Sequence, residues 1–362
     1  MSGPARRAYV RPLPVADGLV EMTHGAGGRA MAQLIDELFV RALANDYLAR
    51  GDDGAVLPAP QPGERLVMAT DAHVVSPLFF AGGDIGCLSV HGTINDLAMM
   101  GARPLYLAAA FILEEGFPLA DLQRIVRSMA AAARDAGVPV VTGDTKVVEK
   151  GSGDGVFITT TGAGALPAGR ELGGANARAG DAVLVSGSIG DHGMAIMSQR
   201  ESLSFDSDIR SDTAALHRLV AAVLDAVPSS AELGDGSRGL RLLRDPTRGG
   251  LGTTLNEIAA QSGVGIVIDE RRLVVAPQVS AACEFLGLDP LYVANEGKLV
   301  AVCAAADAPA LLAAMRAHPL ARDAQIVGEV TEDPHHFVQM RTGLGGRRIV
   351  DWLSGEQLPR IC

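Results

Sequence analysis

Disulfide-forming and zinc-binding cysteine patterns are missing from this 362-residue chain, whose four cysteines, at 87, 283, 303 and 362, include no C-x-x-C pair. That absence argues against a structural zinc site or a disulfide framework and fits a reducing cytoplasm. Basic charge is scarce too. Lys plus Arg number 31 against 42 Asp plus Glu, a formal charge of -11, so the global field repels polyanions and offers no stripe for nucleic acid. An anionic nucleotide would have to be met by local cations or a metal. No stretch nears the roughly 20 uninterrupted apolar residues of a bilayer span, and the first residues lack the basic and apolar regions of an export signal. A soluble, unexported protein with no membrane partner is expected.

What is present is enough apolar material, 48% of the residues, to build two domains of ordinary size. Apolar positions recur at helical spacing over 28–44 and 119–136, while short apolar runs at 66–69, 105–113, 138–142 and 156–161 predict strands. The second half repeats the mixture, with helices over 214–226, 253–262 and 308–317 and strands over 182–186, 265–268, 298–303 and 325–330. The fold class is therefore mixed α/β. The expected division is an extended leader over 1–20, domains over 21–170 and 171–340, and a tail over 341–362, the boundary falling in a Pro/Gly/Ala-rich stretch.

Cys87, Cys283 and Cys303 stand in apolar surroundings and read as small buried hydrophobes. Cys362 is the last residue and needs another explanation. The densest chemical signal is a series of acids where apolar runs end: Asp52, Asp53, Asp71, Asp84, then Asn95-Asp96 and Thr142-Gly143-Asp144-Thr145-Lys146. Carboxylates beside glycines suit magnesium held against phosphates. Any one of them alone is more often a cap or turn residue, and the recurrence is what carries the reading.

The run His24-Gly25-Ala26-Gly27-Gly28 leads into a helix, where bare N–H groups receive phosphate or simply make a turn. It matches neither the Walker pattern nor G-x-G-x-x-G. Asp245-Pro246-Thr247-Arg248-Gly249-Gly250 and Asn295-Glu296-Gly297-Lys298 join charges to turns. Asp245 reads equally as a cap and Arg248 as a surface ion pair. Glu296 has a stronger claim, as a carboxylate presented next to a rigid element where a general base belongs. His91, His192 and His335-His336 read as structural or surface residues.

Together, His24-Gly-Ala-Gly-Gly, Gly51-Asp-Asp, Thr70-Asp-Ala-His, Gly82-Gly-Asp-Ile-Gly, Asn95-Asp-Leu-Ala-Met-Met-Gly, Thr142-Gly-Asp-Thr-Lys and Asp245-Pro-Thr-Arg-Gly-Gly resemble the aminoimidazole ribonucleotide synthetase (PurM-like) ATP-binding superfamily. The ending Pro359-Arg360-Ile361-Cys362 is similar to its hydrogenase-maturation branch. The resemblance implies a two-domain PurM-like fold, a homodimer joined through the N-terminal domain, and ATP with Mg2+ as cofactors. It places Gly27, Gly28, Asp52, Asp71, Asn95, Asp144, Asp245 and Arg248 at the nucleotide and Asp53, Asp84 and Asp96 at the metal. Lys146 would bind phosphate or the reacting oxygen, Glu296 would assist proton removal, and Cys362 would carry a carbamoyl group. The implied partners are the carbamoyltransferase HypF as donor and the HypC–HypD complex as cyanide acceptor.

In that chemistry the amide oxygen of an S-carboxamide, a poor leaving group, is phosphorylated by ATP and then lost, leaving a thiocyanate. A tail beginning at Arg341 reaches up to roughly 70 Å when stretched, enough to visit a donor and its own pocket. The competing readings are another ATP-dependent synthetase or kinase of the same fold, which gives Cys362 no purpose, and a non-catalytic maturation scaffold.

Overall fold

The computed structural model describes residues 11–200, 209–234, 236–355 and 360–362. Pro359 of the terminal motif and the first ten residues of the leader lie outside them. The N-terminal half comprises α1 (Arg29–Leu34), β1 (Arg65–His73), α2 (Ile85–Met99), β2 (Arg103–Glu114), α3 (Leu119–Ala136), β3 (Val140–Val148) and β4 (Val156–Leu166). The strands form one mixed sheet in the order β1-β4-β2-β3, with β2 and β3 parallel and the other pairs antiparallel.

α3 buries Leu122, Ile125, Val126, Met129 and Ala133, one stripe at helical spacing, and stops at Gly137, whose φ of 75° suits glycine. α2 is buried on nearly every side, lying beneath the sheet against β1 and β4. The other face of the sheet has no helix over it among the described residues. Paired positions on that face include Met68 with Ala163, Ala110 with Thr159 and Asp144, and Ile112 with Lys146.

The second half comprises β5 (Asp181–Val185), α4 (Asp191–Arg200), α5 (His217–Ala226), β6 (Leu240–Arg244), α6 (Gly250–Ser262), β7 (Gly265–Asp269), α7 (Pro277–Leu286), β8 (Val300–Ala304), α8 (Ala308–Ala317), β9 (Gln325–Thr331), β10 (Val338–Arg341) and β11 (Arg347–Ile349). Its seven strands run in the order β11-β10-β7-β9-β5-β8-β6. The segment expected to be tail thus supplies the edge strand β11, and Asn256 and Tyr292 fasten the carbonyls of Val350 and Asp351 at 2.9 and 2.7 Å. The roughly 70 Å reach expected of a tail starting at Arg341 is therefore shortened, because 341–351 are held by the body of the second half.

The strands also outrun the apolar runs that announce them. Asp71 sits inside β1, and Asp144 and Lys146 sit inside β3, because one face of each strand is polar or solvent-facing and shows no apolar pattern.

Candidate active site

The chain's end is seated between the two halves. Cys362 O accepts from Val74 N–H at 3.1 Å, Arg360 O accepts from Ser76 N–H at 3.1 Å, and Ile361 O meets His192 Nε2 at 2.8 Å. Ile361 is 3% exposed and belongs to the N-terminal hydrophobic core. The Arg360 guanidinium pairs with Asp154 at 2.7 Å, and Arg200 donates to Arg360 O at 2.9 Å. Three residues are thereby held at every backbone carbonyl.

This seating brings the Cys362 thiol up against the Glu296 carboxyl, which is 3% exposed. Burial, then the neighbouring Asp212, Asp245 and Asp71, holds the Glu296 carboxyl well above the usual carboxylate range. Burial, followed by Glu296, also pushes the thiol well above its ordinary value, opposed by the Arg248 cation. Burial thus disfavours the charged form of both groups in this arrangement. Glu296 Oε1 has no hydrogen-bond partner among the described residues.

Around the pair stand Asp71 from β1, Asp96 near the end of α2, and Asp245 just after β6. Asp96 is raised to about 7, by burial and then by Asp245 and Asp71, and Asp245 to about 6, chiefly by burial. Asp71 instead is held below its usual value: burial raises it, but His73, whose Nε2 lies 3.2 Å from Asp71 Oδ2, the Ala72 N–H bond at 2.9 Å and Arg248 outweigh that. The turns after β6 and before β8 are tied together by Asn295, whose amide donates to Pro246 O at 2.9 Å and accepts from Gly190 N–H at 2.7 Å. Gly250, at φ 61°, is needed there because a Cβ would lie 2.5 Å from Leu291 O.

Asp71, Asp96, Asp245, Arg248, Glu296 and Cys362 are therefore brought together. Other expected site residues are not. Asn95 is 1% exposed and donates to Ala214 O and Glu296 O while accepting from Leu216 N–H, at 3.0, 3.1 and 2.7 Å, so its amide is consumed in joining α2 to the second half. It thereby fixes the Glu296 backbone, and both of its amide hydrogens are committed within the chain. Asp84 caps α2, accepting from Gly86 and Cys87 N–H at 2.8 and 3.1 Å. The twelve helical residues separating it from Asp96 span roughly 18 Å, which removes it from any shared metal.

Asp52 and Asp53 lie on an exposed loop and make no hydrogen bond or ion pair among the described residues. No three of the described acids, histidines and cysteines are grouped to hold a metal ion. Asp144 and Lys146, paired at 3.0 Å, project from the open face of the sheet, whereas Asp71 projects toward α2 on the other face. Gly25 packs against Val147 of β3, so exposed Gly27 and Gly28 are placed beside that same edge strand. Within one chain, Lys146 does not meet Cys362.

Three contributors were not foreseen. His192, expected to be structural or surface, is fully buried and bonded to the tail, His73 lies 3.2 Å from Asp71, and Asp212 accepts from Glu296 N–H at 3.0 Å while pairing with Lys298 at 3.2 Å. A histidine next to Asp191-Gly193 or after Thr70-Asp71 gave no spacing cue, and only the Thr70-Asp-Ala-His motif marked one of them.

A fold of one open mixed sheet joined to a second α/β sheet, with acids and an arginine at the junction, is that of AIR synthase-related proteins. Residues 51–166 match the family model "AIR synthase related protein, N-terminal domain" and 178–341 match the corresponding C-terminal domain. Within that class the chain belongs to the carbamoyl dehydratase HypE family. It is 69% identical to carbamoyl dehydratase HypE of Cupriavidus necator over 362 residues, covering 100% of both chains. Its fold superposes with a TM-score of 0.87 on a crystal structure of the hydrogenase maturation protein HypE in complex with ATP, at 47% identity, covering 94% of this chain and 99% of that one. A HypE–HypF complex matches with a TM-score of 0.75 at 48% identity, covering 88% and 99%.

Proposed function

We propose that the chain dehydrates a carbamoyl group carried on its own Cys362 to a cyano group, at the expense of ATP, for the maturation of a hydrogenase. The observation that carries this reading is the terminal thiol seated against a buried carboxyl, Glu296, beside an acidic cluster and Arg248. A synthetase acting on a diffusible substrate has no use for that seat, and a scaffold has no use for a buried base.

The carbamoyl donor in this reading is HypF, in keeping with the HypE–HypF complex formed by a relative, and the cyano group passes to a HypC–HypD complex. Loading takes place outside the pocket, since the seated thiol is protonated and a poor nucleophile. Once the loaded tail returns, phosphoryl transfer from ATP to the amide oxygen gives an O-phosphorylated thioimidate, S–C(=NH)–O–phosphate, with ADP, and releases one N–H proton. Loss of phosphate with the second N–H proton leaves S–C≡N. Glu296 is the acceptor for an N–H proton, and its unpartnered Oε1 is where that hydrogen bond forms.

The fit to Mg2+ rests on Asp71, Asp96 and Asp245 standing together; burial first, and then neighbouring acids, raise Asp96 and Asp245 even though Arg244 opposes the shift in both. Magnesium takes one or two carboxylates plus phosphates and water, so no three-acid cage is required; when bound it would offset the triphosphate charge. The four residues on the other face, Gly27, Gly28, Asp144 and Lys146, enter the reading through a homodimer. Leu66 and Met68, 60% and 69% exposed, stand with Ile112 and the alanines on the open face of the sheet. Two such faces brought together would set edge strand β3 at the subunit junction, where the phosphates can be reached. A reducing cytoplasm keeps the terminal thiol free; among the described residues no helix is long and apolar enough to cross a membrane.

The test is intact mass of the full chain with a carbamoyl donor system, before and after ATP. One carbamoyl gained and one water then lost is expected, while Cys362→Ala binds ATP and gains nothing. A loaded Cys362→Ala chain would sink the carrier role.

A further inference from the structure

Release of the tail has to break one bond that the chemistry itself does not use. His192, the second residue of α4, is 0% exposed, and its ring lies edge-on to Phe80 with centroids 5.5 Å apart. Its Nδ1 lies 2.7 Å from Ser211 Oγ, and that hydroxyl oxygen already accepts from Thr213 N–H at 3.1 Å. Ile361 O, 2.8 Å from Nε2, can only accept, so the imidazole proton is on Nε2, and Nδ1 of the neutral ring accepts from the serine hydroxyl. Burial lowers the pKa of His192 and keeps the ring neutral, in agreement with that tautomer.

The other two carbonyls of the terminal tripeptide are paired with backbone of the Val74–Ser76 segment, with Arg200 from the far end of α4 adding a second donor to Arg360 O. His192 alone uses a side chain with no exposure, and it acts on the residue directly before the thiol. Ser211 is in turn tied to Ala81 O at 2.8 Å, so the latch is braced from both halves of the molecule.

We propose that His192 is the latch of the terminal thiol, a positioning residue whose Nε2–H bond to Ile361 O sets the balance between seated and released tail. The proposal rests on the carrier reading for its purpose. Loading then runs from the released state and dehydration from the seated one, and His192 trades the first against the second.

The test is the rate of iodoacetamide alkylation at Cys362 in the full chain, mapped by peptide mass, with the buried Cys283 and Cys303 as internal reporters of an intact fold. His192→Ala is expected to raise the Cys362 rate about tenfold, the shift that loss of one buried hydrogen bond produces. His192→Gln, whose amide N–H can stand where ring Nε2–H stood, is expected to stay within about twofold of the parent. Ser211→Ala keeps the ring, frees Nδ1, and should give an intermediate rise even where His192→Ala exposes Cys283 and Cys303. An unchanged rate in His192→Ala with those two cysteines protected overturns the latch, as does an equal rise in the Ala and Gln variants. So does an unchanged rate in Ser211→Ala.

Alkylation involves no carbamoyl chemistry, so the latch is read even if the dehydratase reading fails. If both stand, His192→Ala takes up carbamoyl faster and dehydrates it more slowly than the parent.

Discussion

A carboxyl and a thiol that face each other at one seat can each be useful only in a different state of the same chain. Burial and the neighbouring acids disfavour the charged form of Glu296, and a carboxyl raised in this way is a strong proton acceptor once it ionises. Glu296→Gln keeps the shape and a hydrogen-bonding partner for the tail but cannot take a proton. Loading of Cys362 by the donor system should be unchanged, and single-turnover conversion of the loaded chain, followed by intact mass, should slow by about 10² to 10⁴ fold. Unimpaired dehydration in this variant would assign the proton to another group. Glu296 drew notice in the sequence as a carboxylate in a Gly-flanked turn before a strand, and the structure sets it beside the terminal thiol. The contacts of Asn95 were not legible: a buried amide bonds backbone groups far away in the chain, and no local spacing reveals those. Asp84 followed the ordinary rule for an aspartate directly before a helix, and the glycine-rich setting obscured it.

At the scale of elements, α2 and β1 decide where the acids point. Gly92 of α2 lets the helix approach β1, since a Cβ there would lie 2.9 Å from His73 Nε2 and 3.1 Å from Asp71 Oδ2. Gly92→Ala should therefore cost about 1–3 kcal/mol by denaturant unfolding and displace Asp71, seen as weaker ATP binding in calorimetry. A stability unchanged from the parent would show that the helix shifts freely. The acids at the end of α2 and after β6 also predict a pH dependence. Asp96 is raised from 3.8 to about 7 and Asp245 to about 6, so the folded chain binds more protons than the unfolded one between those limits. Stability contributed by these groups is then complete at low pH and is lost as pH rises through about 6 to 7. A cation placed among them reverses the loss. Mg2+ should raise the melting temperature more at about pH 8 than at about pH 5, and Asp96→Asn should raise it at about pH 8 without Mg2+ while shrinking the Mg2+ response. An equal Mg2+ response at the two pH values would remove the cation from this cluster.

For the molecule as a whole, the sheet of the first half is a partition. Registers that pair Ala110 with Asp144 and Ile112 with Lys146 put those side chains on one side, while Asp71 and the terminal thiol lie on the other. The strands and their mixed setting with helices were readable from apolar runs and periodicity, and so was the expectation of two domains. Which face stays open, and that the last three residues return to Val74–Ser76, depends on contacts between opposite ends of the chain and leaves no local trace. An open face bearing Leu66, Met68 and Ile112 among alanines and threonines is costly for a lone chain and suited to a second copy. Met68 is 69% exposed, so Met68→Glu disturbs little in a single subunit. If two faces meet there, that charge is buried without a partner and the assembly separates. Light scattering should find the parent dimeric and the double variant Met68→Glu, Ile112→Glu monomeric, with an unchanged circular dichroism spectrum. Because Lys146, Gly27 and Gly28 then lose the junction that puts them to use, ADP formation by the loaded chain should fall at least about tenfold while carbamoyl loading of Cys362 continues. A monomeric parent with full ADP formation would mean that the lysine side of the sheet serves no nucleotide, and that the thiol side completes the reaction alone.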